Sequence, residues 1–164
     1  MQRNSKIKRL TLLLALLFTG SSTYFANGQI TSASEAIRLF DAGKYETAEN
    51  AFQQLLQQEP ENTTFNYYYG ASRTENGHFS EEDLGFLLKA GREVTPLRIH
   101  YYLGVQYHAM EKWDLALKHY NQYRVSAPPE EYKELELAQK IQQCFDRKNP
   151  FRNDLAEEKN DSVS

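Results

Sequence analysis

Between residues 30 and 147 the apolar positions fall three and four apart, so helices with one buried stripe are expected throughout. No stretch alternates apolar with polar over strand length, and β-branched residues are few beside tyrosine and phenylalanine. The pattern itself recurs, with the small residues Ala36, Gly70, Gly104 and Ala138 standing 34 apart. The third copy is the most complete: Leu103-Gly104, then Tyr107, Ala116, Tyr120 and Pro128. The first places Ala36, Leu39, Ala48, Phe52 and Pro60 at the same offsets. Each copy reads as two helices, with small residues where they approach, larger ones filling between them, and a proline stopping the second. Asp41-Ala42-Gly43-Lys44 and Met110-Glu111-Lys112 are the expected turns.

The middle copy departs from the pattern. Its first helix is expected over Thr63 to Glu75, with Gly77 turning the chain as Gly43 does. Its second helix carries Glu82 where a small residue belongs, so a shortened or skewed helix is expected, N-capped by Ser80 and ended near Gly91. Thr95-Pro96 should cap the next helix. After Pro128-Pro129 the spacing of Leu135, Leu137, Ala138, Ile141 and Phe145 predicts one more helix, from Glu130 to about Arg147, covering the last apolar face.

A 34-residue helix pair with this residue order resembles the tetratricopeptide repeat. The resemblance implies an all-α, right-handed superhelix of antiparallel helix pairs, about three repeats plus a terminal capping helix, whose concave groove holds a protein or peptide. Residues lining that groove would be Ile37, Phe40, Tyr67, Ala71, Thr74, Arg98, Tyr101, Val105, His108, Gln139 and Gln142. Tyr67 and Tyr101 are one period apart and should stand side by side, whereas Tyr68 and Tyr102 should pack between helices. The clamp of lysines and asparagines with which some members hold a chaperone's C-terminal carboxylate is missing. Ala33, Ile37, Tyr69 and Tyr102 occupy those places, and Arg98 alone is basic. The repeats followed by Ile-Gln-Gln-Cys are also similar to the N-terminal region of exported Bacteroidota envelope proteins. In those, the repeats precede a β-propeller and an OmpA-like peptidoglycan-binding domain.

The ends read differently from the middle. Arg3, Lys6, Lys8 and Arg9 precede the apolar run Leu10 to Phe18, and small residues follow up to Gly28, which is the pattern of a secretory signal peptide. Residues 1–28 are therefore expected to be removed after Gly28, leaving a secreted or periplasmic repeat domain (29–147) and a polar tail (148–164) too poor in apolar residues to fold alone. Losing those four basic residues and no acidic ones takes the formal charge from −3 to −7. That argues against nucleic acid and anionic membrane surfaces as partners, and no membrane insertion is expected after cleavage. Asp161-Ser162-Val163 resembles a short periplasmic O-glycosylation acceptor motif, with a plain solvated tail the favoured reading, and Asn62-Thr63-Thr64 is a sequon whose Asn is better used as a helix cap.

Catalytic chemistry finds no foothold in the pattern. His78, His100, His108 and His119 include no pair three or four apart, so no helix presents two metal ligands, and neither metal nor cofactor is expected. His119 should lie on an exposed face and His78 in a turn. Glu81, Glu82 and Asp83 suit a first helical turn, and no phosphate loop or nucleophile elbow occurs. The single Cys144 forbids an internal disulfide and should be buried and inert. Two classes of function remain: an exported, non-enzymatic adaptor with a partner in its groove, and a self-associating structural module. Leu135, Ile141 and Phe145 facing inward would favour the adaptor.

Overall fold

The computed structural model describes residues 32–91 and 97–148, and among these every regular element is an α-helix. In order these are α1 (Ala33–Asp41), α2 (Tyr45–Gln58), α3 (Thr63–Glu75), α4 (Glu81–Ala90), α5 (Ile99–Ala109), α6 (Trp113–Ser126), α7 (Pro129–Glu134) and α8 (Leu137–Lys148). The signal peptide, the Thr95-Pro96 cap and the tail after Lys148 lie outside the described residues; Lys148 itself closes α8.

Three hairpins, α1–α2, α3–α4 and α5–α6, stack in sequence, and α8 lies against α6. First helices also touch one another, α1 on α3 and α3 on α5, so they form a layer of their own. The turns obey the 34-residue period: Gly43, Gly77 and Glu111 all take positive φ, of 72°, 82° and 57°. Glycine adopts that conformation without strain, whereas a glutamate brings its Cβ against its own carbonyl. Asn62 caps α3 by accepting from Phe65 N, and Asn66 Nδ2 donates to the carbonyls of Pro60 and Asn62. α2 and α6 end just before Pro60 and Pro128.

Within a hairpin the helices meet at small residues. A Cβ added to Gly104 would lie 2.4 Å from Tyr120 Cδ1, and one on Gly70 would lie 2.9 Å from the Leu87 side chain. Ala36, Ala48 and Ala116 are wholly buried in equivalent roles. The middle hairpin is shortened as expected, and its second helix is also displaced by one residue. Asp83 and Leu87, not Glu82 and Phe86, take the inward places of Ala116 and Tyr120. Ser80 sets this register, its Oγ accepting from Asp83 N at 3.1 Å and donating to the Asp83 carboxylate at 2.6 Å. The buried carboxylate is neutralised by Arg73, which also reaches Glu49 at 2.9 Å. A buried carboxylate needs such a partner.

The terminal helix is not continuous. It breaks at Leu135–Glu136, where Glu136 takes φ 49°, into α7 and α8. The break rotates α8 out of the 34-residue frame. Ala138 is therefore exposed, Leu137, Ile141 and Cys144 carry the packing, and Phe145 is 42% exposed instead of inward.

Two stability changes follow from these positions. Gly104→Ala should destabilise the chain by about 1–3 kcal/mol, because Tyr120 cannot yield without disturbing the third hairpin. Thermal melts followed by circular dichroism measure this, and an unchanged midpoint would refute the close approach. Glu111→Gly should instead raise stability by about 0.5 kcal/mol, relieving the left-handed strain less the entropy that glycine loses. Urea titration resolves that sign.

Candidate functional site

A continuous ribbon of rings crosses the layer of first helices. Phe40 of α1 meets Tyr45 at 5.3 Å, Tyr68 at 5.1 Å and Tyr102 at 6.5 Å between centroids, all edge to face. Tyr67 meets Tyr68 at 5.0 Å and Tyr102 at 6.1 Å; Tyr102 meets Tyr101 at 5.3 Å; Tyr101 meets Tyr123 at 5.9 Å. Edge-to-face pairs of this kind stabilise beyond the area they bury, by about 0.5–1.5 kcal/mol each. The consecutive tyrosines of α3 and α5 make this possible, since neighbours on a helix point about 100° apart and so reach both the layer and the hairpin interior.

Arg98 sits at one end of the ribbon, immediately before α5, with its guanidinium carbon 5.9 Å from the Tyr102 ring centre. Its Nε is buried and finds no hydrogen-bond partner among the described residues. Burial alone would depress its pKa, but Tyr102, Glu131, Tyr123 and Tyr67 together hold it above the ordinary value. α7 brings acidic residues to the same place. Tyr123 Oη donates to Glu131, whose charge also reaches Tyr67; Glu134 is felt at Tyr45 and Glu136 at Tyr101. Burial, more than these charges, pushes the Tyr101 phenol up to about 12 and raises Tyr67, Tyr102 and Tyr123 as well. All four rings therefore stay neutral. Tyr102 donates to Glu75 Oε1 at 3.0 Å, which gives the ribbon a second carboxylate edge.

Of the residues expected to line a groove, Phe40, Tyr67, Arg98 and Tyr101 are brought together here. Tyr67 and Tyr101 do not stand side by side as an open pair: Tyr102 bridges them, and they are only 4% and 9% exposed. Of the two tyrosines expected to be interior, Tyr102 is wholly buried, whereas Tyr68 is more open than Tyr67. Ile37 and Val105 are half-buried beside the core. Ala71 is wholly buried, and Thr74 is used in packing, donating to Gly70 O at 2.7 Å and accepting from Gln106 Nε2 at 2.9 Å. His108 belongs to another cluster, and Gln139 and Gln142 lie exposed on α8, Gln142 bonded to Asp146. Sequence reading missed Tyr45, Tyr123 and Glu131, which come from second helices and from α7; the signal for Tyr123 was its place three after Tyr120.

Three polar constellations stand apart from the ribbon. Glu46, Glu49, Asn50, Asn76 and His78 line a cleft of about 420 Å³, where Glu49 is already held by Arg73 and Asn76. Cys144 Sγ lies 3.6 Å from His108 Nδ1, which is 3.3 Å from Tyr120 Oη. Burial pushes that thiol up to about 11, so it stays protonated and unreactive at neutral pH. The third is His100 with His119, whose Nδ1 atoms are 3.1 Å apart across the α5–α6 hairpin. His119 is stacked 5.4 Å from Tyr107, so the expectation of an exposed face is corrected. A residue 19 positions away on the returning helix was invisible to a search for pairs along one helix.

No protein-family model matches this chain, and neither the curated proteins nor the solved structures give a significant match.

The histidines make stability depend on pH. Burial first, then His100 and Lys118, push His119 down to about 4; burial and Lys118 also lower His100. Above about pH 6.5 both folded and unfolded imidazoles are neutral and nothing is gained or lost. Below it the unfolded chain takes up protons that the folded chain refuses, so stability should fall as pH drops from about 6.5 toward 4. Melting temperatures between pH 7.5 and 5 check this. The slope should flatten in a His100→Gln, His119→Gln double variant, with the lowered His108 leaving some residue.

Proposed function

We propose that this chain is a non-catalytic adaptor of the tetratricopeptide-repeat kind, three repeats in a right-handed superhelix, exported by its N-terminal segment and holding an acidic protein segment along its concave aromatic ribbon. The observation that carries the reading is the end of the ribbon at Arg98. A half-buried guanidinium backed by Tyr102 has an Nε with no hydrogen-bond partner among the described residues, beside phenols that provide rigid contact area. An unsatisfied buried donor costs free energy, and a carboxylate from a partner would relieve it. In the free chain Glu131 of α7 partly plays that role electrostatically, through its effect on Arg98. An incoming acidic segment would therefore compete with α7.

The accessible entry is along Ile37, Tyr45, Tyr68, Arg98 and Val105, which are half-buried, with Tyr67 and Tyr101 forming the floor. Truncating a floor tyrosine would unfold as well as unbind, so the test uses Arg98 and Glu131. A peptide array spanning acidic, neutral and basic sequences should retain acidic peptides that carry an aromatic residue. In fluorescence polarisation Arg98→Ala should weaken the best of them by about tenfold or more, an anchor effect of roughly 2 kcal/mol, and Glu131→Gln should tighten it. Retention of no acidic peptide, or equal affinity for Arg98→Ala, would overturn the reading.

A self-associating module is the second reading, favoured by apolar residues left open on the outer helices, Val125 at 85% and Phe145 at 42% exposure. Sedimentation of the chain over a hundredfold dilution separates the two: the adaptor stays monomeric throughout.

A further inference from the structure

We propose that His100 and His119 form a two-imidazole binding site for a divalent transition-metal cation of the zinc–copper class. The site stands on geometry. Two nitrogens bound to one such cation at about 2.0–2.1 Å, at an angle between square and tetrahedral, lie about 2.8–3.4 Å apart. The two Nδ1 atoms are 3.1 Å apart. Their rings are inclined by 29° with centroids 5.3 Å apart, and both must turn about their Cβ–Cγ bonds for the two lone pairs to meet on one cation.

The surroundings hold the rings in readiness. His100 lies in the first turn of α5 and His119 at the middle of α6, two helices kept close by Gly104 against Tyr120. Tyr107 stacks on His119 at 17°, which limits its rotation. The charged group whose field reaches both rings is Lys118, and it favours their neutral, ligating form while tempering affinity for a dication. In the free chain one Nδ1 carries a proton and donates to the other. On binding, that proton passes through solvent to the Nε2 of the same ring, both rings stay neutral, and no net proton is released. Among the described residues no group of three His, Cys, Asp or Glu side chains converges, so water completes the coordination sphere. Imidazole nitrogen selects zinc, copper and nickel over magnesium and calcium, which prefer oxygen.

The test is calorimetric titration of the full, untagged chain with zinc chloride at pH 7.5, with magnesium chloride beside it. Zinc should give saturable binding and magnesium none. His100→Gln and His119→Gln, each confirmed folded by circular dichroism, should each bind zinc about tenfold more weakly or worse, since losing a ligand costs no less than losing its supporting partner. His78→Ala should bind as the parent does. Absence of saturable zinc binding, binding undiminished in both glutamine variants, or its loss in His78→Ala would each overturn the site.

Discussion

The spacing between the two helices of a hairpin governs everything else in this molecule. Gly104 leaves no room for a methyl group beneath Tyr120, and Gly70 almost none beneath Leu87. With helix axes drawn together at those points, the larger residues one turn away are forced to the margins of the hairpin, where they meet the next one. The rings of Phe40, Tyr68, Tyr102 and Tyr101 come into edge contact because three hairpins are stacked at this short separation. The distance between His100 and His119 depends on the same contact, since both stand on the hairpin that Gly104 closes.

The middle hairpin shows how a repeat tolerates a charge at its tightest place. Moving the second helix by one residue puts Asp83 where its neighbours have alanine, and the structure answers with Arg73, itself held by Glu49 of the preceding hairpin. Breaking one member would strand a buried charge, at a cost that can reach about 3–5 kcal/mol. The network joins α2, α3 and α4, so the departure from the repeat also serves as a joint between successive units. Gln106 makes a second polar joint, donating to Thr74 and to the carbonyl of His78 across the next boundary. These directional contacts fix the angle between hairpins, which apolar packing alone leaves looser.

α7 changes what the aromatic ribbon offers. The left-handed residue Glu136 breaks the helix and turns its first segment inward, carrying Glu131 to Tyr123 and into the field of Arg98. The rings gain burial, their phenols are held neutral, and among the described residues the arginine remains short of one hydrogen-bond acceptor.

The helices of the three hairpins, the turn glycines, the cap at Ser80 and the anomaly of the middle copy were legible in the sequence, because each depends on residues within one or two turns. The 34-residue period worked for the same reason: it records which residues face the partner helix of the same hairpin. Cys144, placed on the packing side by its distance from Ile141, is buried. Where two elements far apart in the chain must meet, local pattern stopped being informative. The break at Glu136 runs against the even helical spacing of Glu130 to Arg147. It follows the docking of Leu137, Ile141 and Cys144, which takes α8 out of frame and exposes Ala138. The division of labour among the tyrosines was equally out of reach, since Tyr67 and Tyr68 differ only in which neighbouring helix each ring meets. The pairing of His100 with His119 belongs to the same class. Periodicity reports which face of a helix a residue occupies; only the packing of one helix on another decides which residue stands opposite it.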